Sequence, residues 1–173
     1  MGVSEENAAG LFRIAAQTGK PFTEIYDSTV GIVNELDRST GFTSDMGSIM
    51  DAMTNASGSV RFNIKGGAEG LAKAAHTANR LGLSMAEIAA AAETHLDFES
   101  SIAKEIEAEM FLQKDLNLDK LRHAAMTGDT AMAAEEEGRL IRENMGALKG
   151  NVMAQRAFAA ATGISMDRLG DVM

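Results

Sequence analysis

One short phrase recurs along this chain, and it dictates how one helix hands over to the next. Gly82-Leu83-Ser84-Met85-Ala86-Glu87-Ile88 and Gly163-Ile164-Ser165-Met166-Asp167-Arg168-Leu169 each follow an alanine-rich stretch. Gly2-Val3-Ser4-Glu5-Glu6-Asn7-Ala8 opens in the same way, and Gly19-Lys20-Pro21-Phe22-Thr23-Glu24-Ile25 is a looser copy. The glycine supplies the left-handed residue that ends a helix, the next residue packs into the corner, and serine caps the new helix. Ser84-x-x-Glu87 has the acid needed for a capping box, whereas Ser165 meets Arg168 at that place and caps alone. With 17 glycines against the single Pro21, helices here are stopped by glycine.

Such punctuation predicts an all-α, multi-helical fold. Apolar periodicity and caps place helices over 5–18, 22–37, 44–55, 68–81, 85–114, 118–127, 130–162 and 166–172. One stretch differs: in 59–65, Val60, Phe62 and Ile64 alternate with polar residues between glycines, the period-two signal of a short strand or extended connector. The expected organisation is an N-terminal helical part over 1–57, a Gly-rich hinge or short strand over 58–67, and a C-terminal helical part over 68–173 carrying the repeated corners.

Within the C-terminal part, Met85, Ala89, Ala92, Leu96, Ala103, Ile106 and Met110 step by threes and fours, with Glu99 the misfit. Ile141, Met145, Leu148, Val152 and Ala159 form a second such row, with Gln155 the misfit. These are coiled-coil-like seams, and they predict two long amphipathic helices. Thr127-Gly128-Asp129 offers a stop followed by an N-cap, so an antiparallel hairpin across a small helical connector is expected.

Charge and composition narrow the function. The net charge of −9 lacks the clustered Lys and Arg that displace phosphate counterions, which argues against specific nucleic-acid binding. Zero cysteines exclude a disulfide framework and Cys-ligated metals, in keeping with synthesis in a reducing cytoplasm. No apolar run approaches the roughly 20 residues of a transmembrane helix. Twelve methionines suit irregular helix packing, or a promiscuous peptide groove.

The motifs of chemistry are weak. Lys65-Gly66-Gly67-Ala68-Glu69-Gly70 precedes a helix but has neither P-loop nor dinucleotide spacing. His76, His95 and His123 are scattered; His95 and Glu99 lie one helical turn apart, a spacing better read as a surface turn than as half a metal site. Glu93, Asp97, Glu99, Glu105, Glu107 and Glu109 read as a solvated acidic face. No Gly-x-Ser-x-Gly elbow is present, so no catalytic, cofactor-binding or metal-binding residue is named, no cofactor is expected, and the chain reads as non-enzymatic.

Ala72-Lys73-Ala74-Ala75, Leu81-Gly82-Leu83-Ser84-Met85, Asp97-Phe98-Glu99-Ser100-Ser101-Ile102 and Glu105-Ile106-Glu107-Ala108-Glu109 together resemble segments of tail tape-measure proteins of long-tailed bacteriophages. Asp115-Leu116-Asn117-Leu118, Thr127-Gly128-Asp129 and the run from Gln155 to Met166 continue the resemblance, which covers most of 67–173 and, more weakly, the start. It implies a virion structural protein, made in the host cytoplasm and lying in the tail-tube lumen. Such a protein takes part in tail assembly and length control, with tube, tail-tip and assembly-chaperone proteins as partners. Even as one continuous helix the chain would reach only about 260 Å at roughly 1.5 Å per residue, so a fragment or domain of a longer ruler is expected. The alternative is a helical interaction or oligomerisation module, another virion component or an adaptor, with self-association through the seams.

Overall fold

The computed structural model describes residues 4–172, and among them every regular element is a helix. In chain order these are α1 (Glu5–Thr18), α2 (Phe22–Thr40), α3 (Met46–Asn55), α4 (Gly58–Asn63), α5 (Gly67–Leu81) and α6 (Met85–Glu93). They continue as α7 (Phe98–Leu112), α8 (Asp119–Thr127), α9 (Thr130–Leu148), α10 (Val152–Thr162) and α11 (Met166–Val172). The all-α, multi-helical class holds, and α1 and α11 match their predicted limits.

The stretch 59–65 is not extended. Ser57 accepts a hydrogen bond from the Val60 amide and starts α4. Val60 and Ile64 are two residues from Phe62 on either side, but they are also i and i+4 of each other. In a helical turn they share the buried face while Phe62 is left 89% exposed. A run this short fits either period, and tertiary contact decides it: the Lys65 amide donates to the Gly128 carbonyl, tying the end of α4 to the α8–α9 corner.

The two long helices are each divided. Over 85–114, α6 ends at Glu93 and Asp97 caps α7 by accepting from the Ser100 amide. Over 130–162, Gly150 turns left-handed at φ 78° and Asn151 caps α10 through the Ala154 amide. Lys149-Gly150-Asn151 is thus a tighter relative of the corner: α9 has its C-cap at Lys149, and the capping asparagine follows the left-handed glycine directly, without the intervening residue of the Gly-x-Ser copies. The first predicted seam breaks with its helix. Met85 is buried and Ala89 and Ala92 are half-buried, but Leu96, Ala103, Ile106 and Met110 are exposed. In the second row Ile141, Leu148 and Ala159 are buried, Met145 is half-buried and Val152 is exposed.

The core is built around α5, which meets α2 and α3 on one side and α9 on another. Its face of Leu71, Ala72, Ala74, Ala75 and Ala78 is almost completely buried. Small side chains let helix axes approach closely, and the large residues Leu140, Ile141, Leu148 and Phe158 of α9 and α10 fill the remaining space. Each such side chain contributes roughly 1.5–3 kcal/mol by leaving water. Helix α10 lies along α7, with its last residue, Thr162, beside His95 at the approach to α7.

Candidate docking face and corner cleft

Three features could carry function: a buried polar network under α7, an apolar row on the outside of α7, and a cleft where two of the repeated corners meet.

The network orients α7. Arg122 of α8 pairs with Glu105 at 2.8 Å and with Asp119 at 2.8 Å, and it donates to the Ser101 hydroxyl at 3.3 Å. Glu105 also accepts the Leu118 amide at 2.7 Å, so its charge is met from two directions. His95 completes the chain, with Nδ1 3.1 Å from the Ser101 hydroxyl and Nε2 3.3 Å from the Thr162 carbonyl. Burial pushes the His95 pKa down and favours the neutral ring. His95 therefore does not lie on a surface turn: it is fully buried, while Glu99 is exposed. The acidic face is likewise split, because Glu105 is buried against Arg122 and Glu109 accepts the Leu116 amide at 2.8 Å.

With Ser101, Glu105, Ala108 and Leu112 turned inward, the flank of α7 carries Phe98, Ile102, Ile106 and Met110 at successive i, i+4 positions, winding outward from the buried face. These four are 43%, 45%, 53% and 74% exposed. The adjacent ridge of the same helix is Glu99, Ala103 and Glu107, all exposed, so the apolar row has an acidic border. Ile106 and Met110 belonged to the predicted seam, whereas Phe98 and Ile102 did not. The i, i+4 spacing of all four was present in the sequence, and only the break at 94–97 separates them from the buried part of the seam.

The corners behave as their sequences require. At the first, Ser84 accepts from the Glu87 amide while Glu87 accepts from the Ser84 amide at 2.7 Å, a complete capping box. At the second, Ser165 accepts from the Arg168 amide at 3.3 Å. Leu83 and Ile164, the residues after each glycine, are buried. The copy at Gly2-Val3 lies outside the described residues, though its Ser4 caps α1 through the Asn7 amide.

What the sequence does not reveal is that the two corners pack against each other. Arg168, the third residue of α11, donates to Glu87, the third residue of α6, at 2.6 Å. The Arg168 guanidinium holds the Glu87 carboxyl down to about 2. Gly163 sits so close to α6 that an added Cβ would lie 2.8 Å from the Ala91 Cα. Between the corners is a cleft of about 170 Å³ lined by Leu83, Glu87, Ala90, Glu137, Gly163, Ile164, Ser165 and Arg168. Glu137, from α9, is fully buried and neither carboxyl oxygen has a hydrogen-bond partner.

The glycine run at 65–70 is a structural junction: Lys65 pairs with Asp129 at 3.1 Å, and the Gly70 Cα faces the Lys65 carbonyl too closely to admit a side chain. Among the described residues no group of three or more His, Cys, Asp or Glu side chains is placed to hold a metal ion. No helix among them is long and apolar enough to cross a membrane. No protein-family model, no curated protein and no solved structure matches this chain. The architecture defines its class directly: a multi-helical all-α protein whose helix corners dock on one another.

Proposed function

We propose that this chain is a non-enzymatic structural segment that works by helix-to-helix docking. On the resemblance of its corners and of the α7 sequence, it is a piece of a phage tail tape-measure protein contributing to tail assembly and length control. The observation that supports docking is the row Phe98, Ile102, Ile106 and Met110, four large apolar side chains in line on a helix whose other face is anchored by the Arg122–Glu105 pair. Isolated apolar residues on a surface need no explanation, but a contiguous row does.

The acidic border of Glu99 and Glu107 and the net charge of −9 favour a partner helix with an apolar row flanked by Lys or Arg. Within the resemblance, that partner is another tail component, and the working location is the tail-tube lumen. A second copy of this chain would set acid against acid along the row, which makes self-association the weaker reading.

Two measurements test this. Light scattering of the chain and of its Ile102→Glu/Ile106→Glu variant should give the same monomer mass, with helicity unchanged because both positions are exposed. A wild-type dimer that the double variant dissolves would overturn the heterologous partner in favour of a second copy. For the tape measure, the expected genetic setting is a reading frame of many hundreds of codons beside tail-tube and baseplate genes. A frame of this length among host genes would overturn that part of the proposal and leave the docking face standing.

A further inference from the structure

The cleft between the corners poses a separate problem of charge. Glu137 is one of the costliest groups in the molecule: a carboxyl with no exposed surface and no partner for either oxygen. The nearest cation on the cleft wall, Arg168, is committed to Glu87 at 2.6 Å and Asp171 at 3.3 Å, and Glu137 has no ion pair with it. The other acids and bases of the surrounding helices are also spent or directed elsewhere. On α9 itself Glu136 pairs with Arg139, Lys120 of α8 reaches Glu136, and Arg80 of α5 lines a different cleft with Gly138 and Arg142. Of the charged groups, only Glu87 and Arg168 share the cleft with Glu137.

We propose that this cleft is a binding site for a primary ammonium on a short alkyl stem, with Glu137 as its counter-ion. The walls supply the stem's environment, since Leu83, Ala90 and Ile164 are apolar. Glu137 and Ser165 both line the cleft, and an ammonium that displaces the packing over the Glu137 carboxyl, which has no solvent-exposed surface, would meet that carboxylate and the Ser165 hydroxyl as acceptors for its N–H donors. The volume of about 170 Å³ suits a compact head better than a second guanidinium beside that of Arg168. A divalent ion lacks ligands, because only two carboxylates line the cleft and one already holds Arg168.

Burial raises the proton affinity of Glu137 well above that of an ordinary carboxyl. Binding therefore exchanges one cation for another: the ammonium enters, the Glu137 O–H bond breaks, and the proton leaves to buffer. The same chemistry is presented by a free alkylamine and by a lysine side chain of a partner protein. The site is independent of the α7 face.

The test uses the full chain, with n-butylammonium, n-butanol and backbone-capped lysine as probes at constant ionic strength. Butylammonium should perturb the amide resonances of 82–87 and 163–168. It should also move the Glu137 carboxyl carbon towards the carboxylate shift, and bind at least tenfold more tightly than butanol. Glu137→Gln, close to isosteric and uncharged, should lose at least tenfold in affinity for the amine. Capped lysine binding as well as butylammonium assigns the site to a protein side chain; butylammonium alone binding assigns it to a free amine. Equal binding of amine and alcohol, an unmoved Glu137 resonance in the wild type, or full affinity in Glu137→Gln overturns the proposal.

Discussion

Alanine at Gly82 and alanine at Gly163 are the same substitution in the same motif, and they should cost different amounts. Both glycines are left-handed, at φ 68° and 78°. An L-residue in that region costs roughly 1–2 kcal/mol. At Gly82 an added Cβ meets nothing within 4 Å, so that conformational cost is the whole effect. At Gly163 the Cβ would lie 2.8 Å from the Ala91 Cα, 2.8 Å from the Thr94 hydroxyl and 2.9 Å from the Ala91 carbonyl oxygen. Two of those atoms are backbone and cannot rotate away. Forcing α6 and the second corner apart adds an overpacking cost of roughly 1–3 kcal/mol, for a total of about 2–5 kcal/mol.

Urea unfolding followed by far-ultraviolet circular dichroism would read both losses, provided the slopes match the wild type. In melting temperature each kcal/mol corresponds to about 2–4 °C for a chain of this size. Displacing the second corner also loosens Arg168 from Glu87. The Glu87 carboxyl, which titrates at about 2, should then move up towards the ordinary range in Gly163→Ala but not in Gly82→Ala. Equal stability losses in the two variants, or the larger loss at Gly82, would refute the claim that the corners are packed together.

Three further expectations follow from the buried charges and caps. Glu137 binds its proton more tightly in the folded than in the unfolded chain, so stability from this group is full below its ordinary pKa of 4.5 and falls as pH rises towards the folded value. Glu137→Gln should therefore gain on the wild type by about 1.4 kcal/mol per pH unit through that window, and parallel pH–stability curves would contradict it. Arg122→Met leaves Glu105 charged and buried and should cost about 3–5 kcal/mol; Arg122→Met with Glu105→Met should recover part of that loss, which denaturant midpoints would show. Ser84→Ala should cost about 1 kcal/mol by removing the cap of α6, with thermal melting as the check.

Much of the fold was written in local signals. The Gly-x-Ser corners announced the ends of α5 and α10 and the starts of α6 and α11, because a left-handed residue followed by a cap is a property of a few adjacent residues. A left-handed glycine before a cap was present at Gly150-Asn151, and a cap alone at Asp97, but caps of a different residue type inside a continuous apolar period were masked by that period. The strand reading of 59–65 failed because Val60 and Ile64 satisfy a period of two and a helical turn equally, and only docking against the α8–α9 corner distinguishes them.

The functional features divide along the same line. The row Phe98, Ile102, Ile106 and Met110 could be read from spacing, but which face of α7 is solvated depends on Arg122 drawing Glu105 and Ser101 inward from a helix that begins 14 residues after Glu105. The corner cleft had no sequence signature. Glu137 lies in the run Glu135-Glu136-Glu137 near the start of α9, where negative charge suits the helix dipole and nothing local marks it for burial, and Arg168 read as a missing capping acid. By itself the sequence determined the helix ends that a Gly-x-Ser corner marks, since such an end is settled within a turn of chain. Only the tertiary structure decided which charges are buried and paired, because that depends on what other helices bring alongside: Arg122 of α8 meets Glu105 of α7, Glu87 finds Arg168 across a separation of 81 positions, and Glu137 finds no partner.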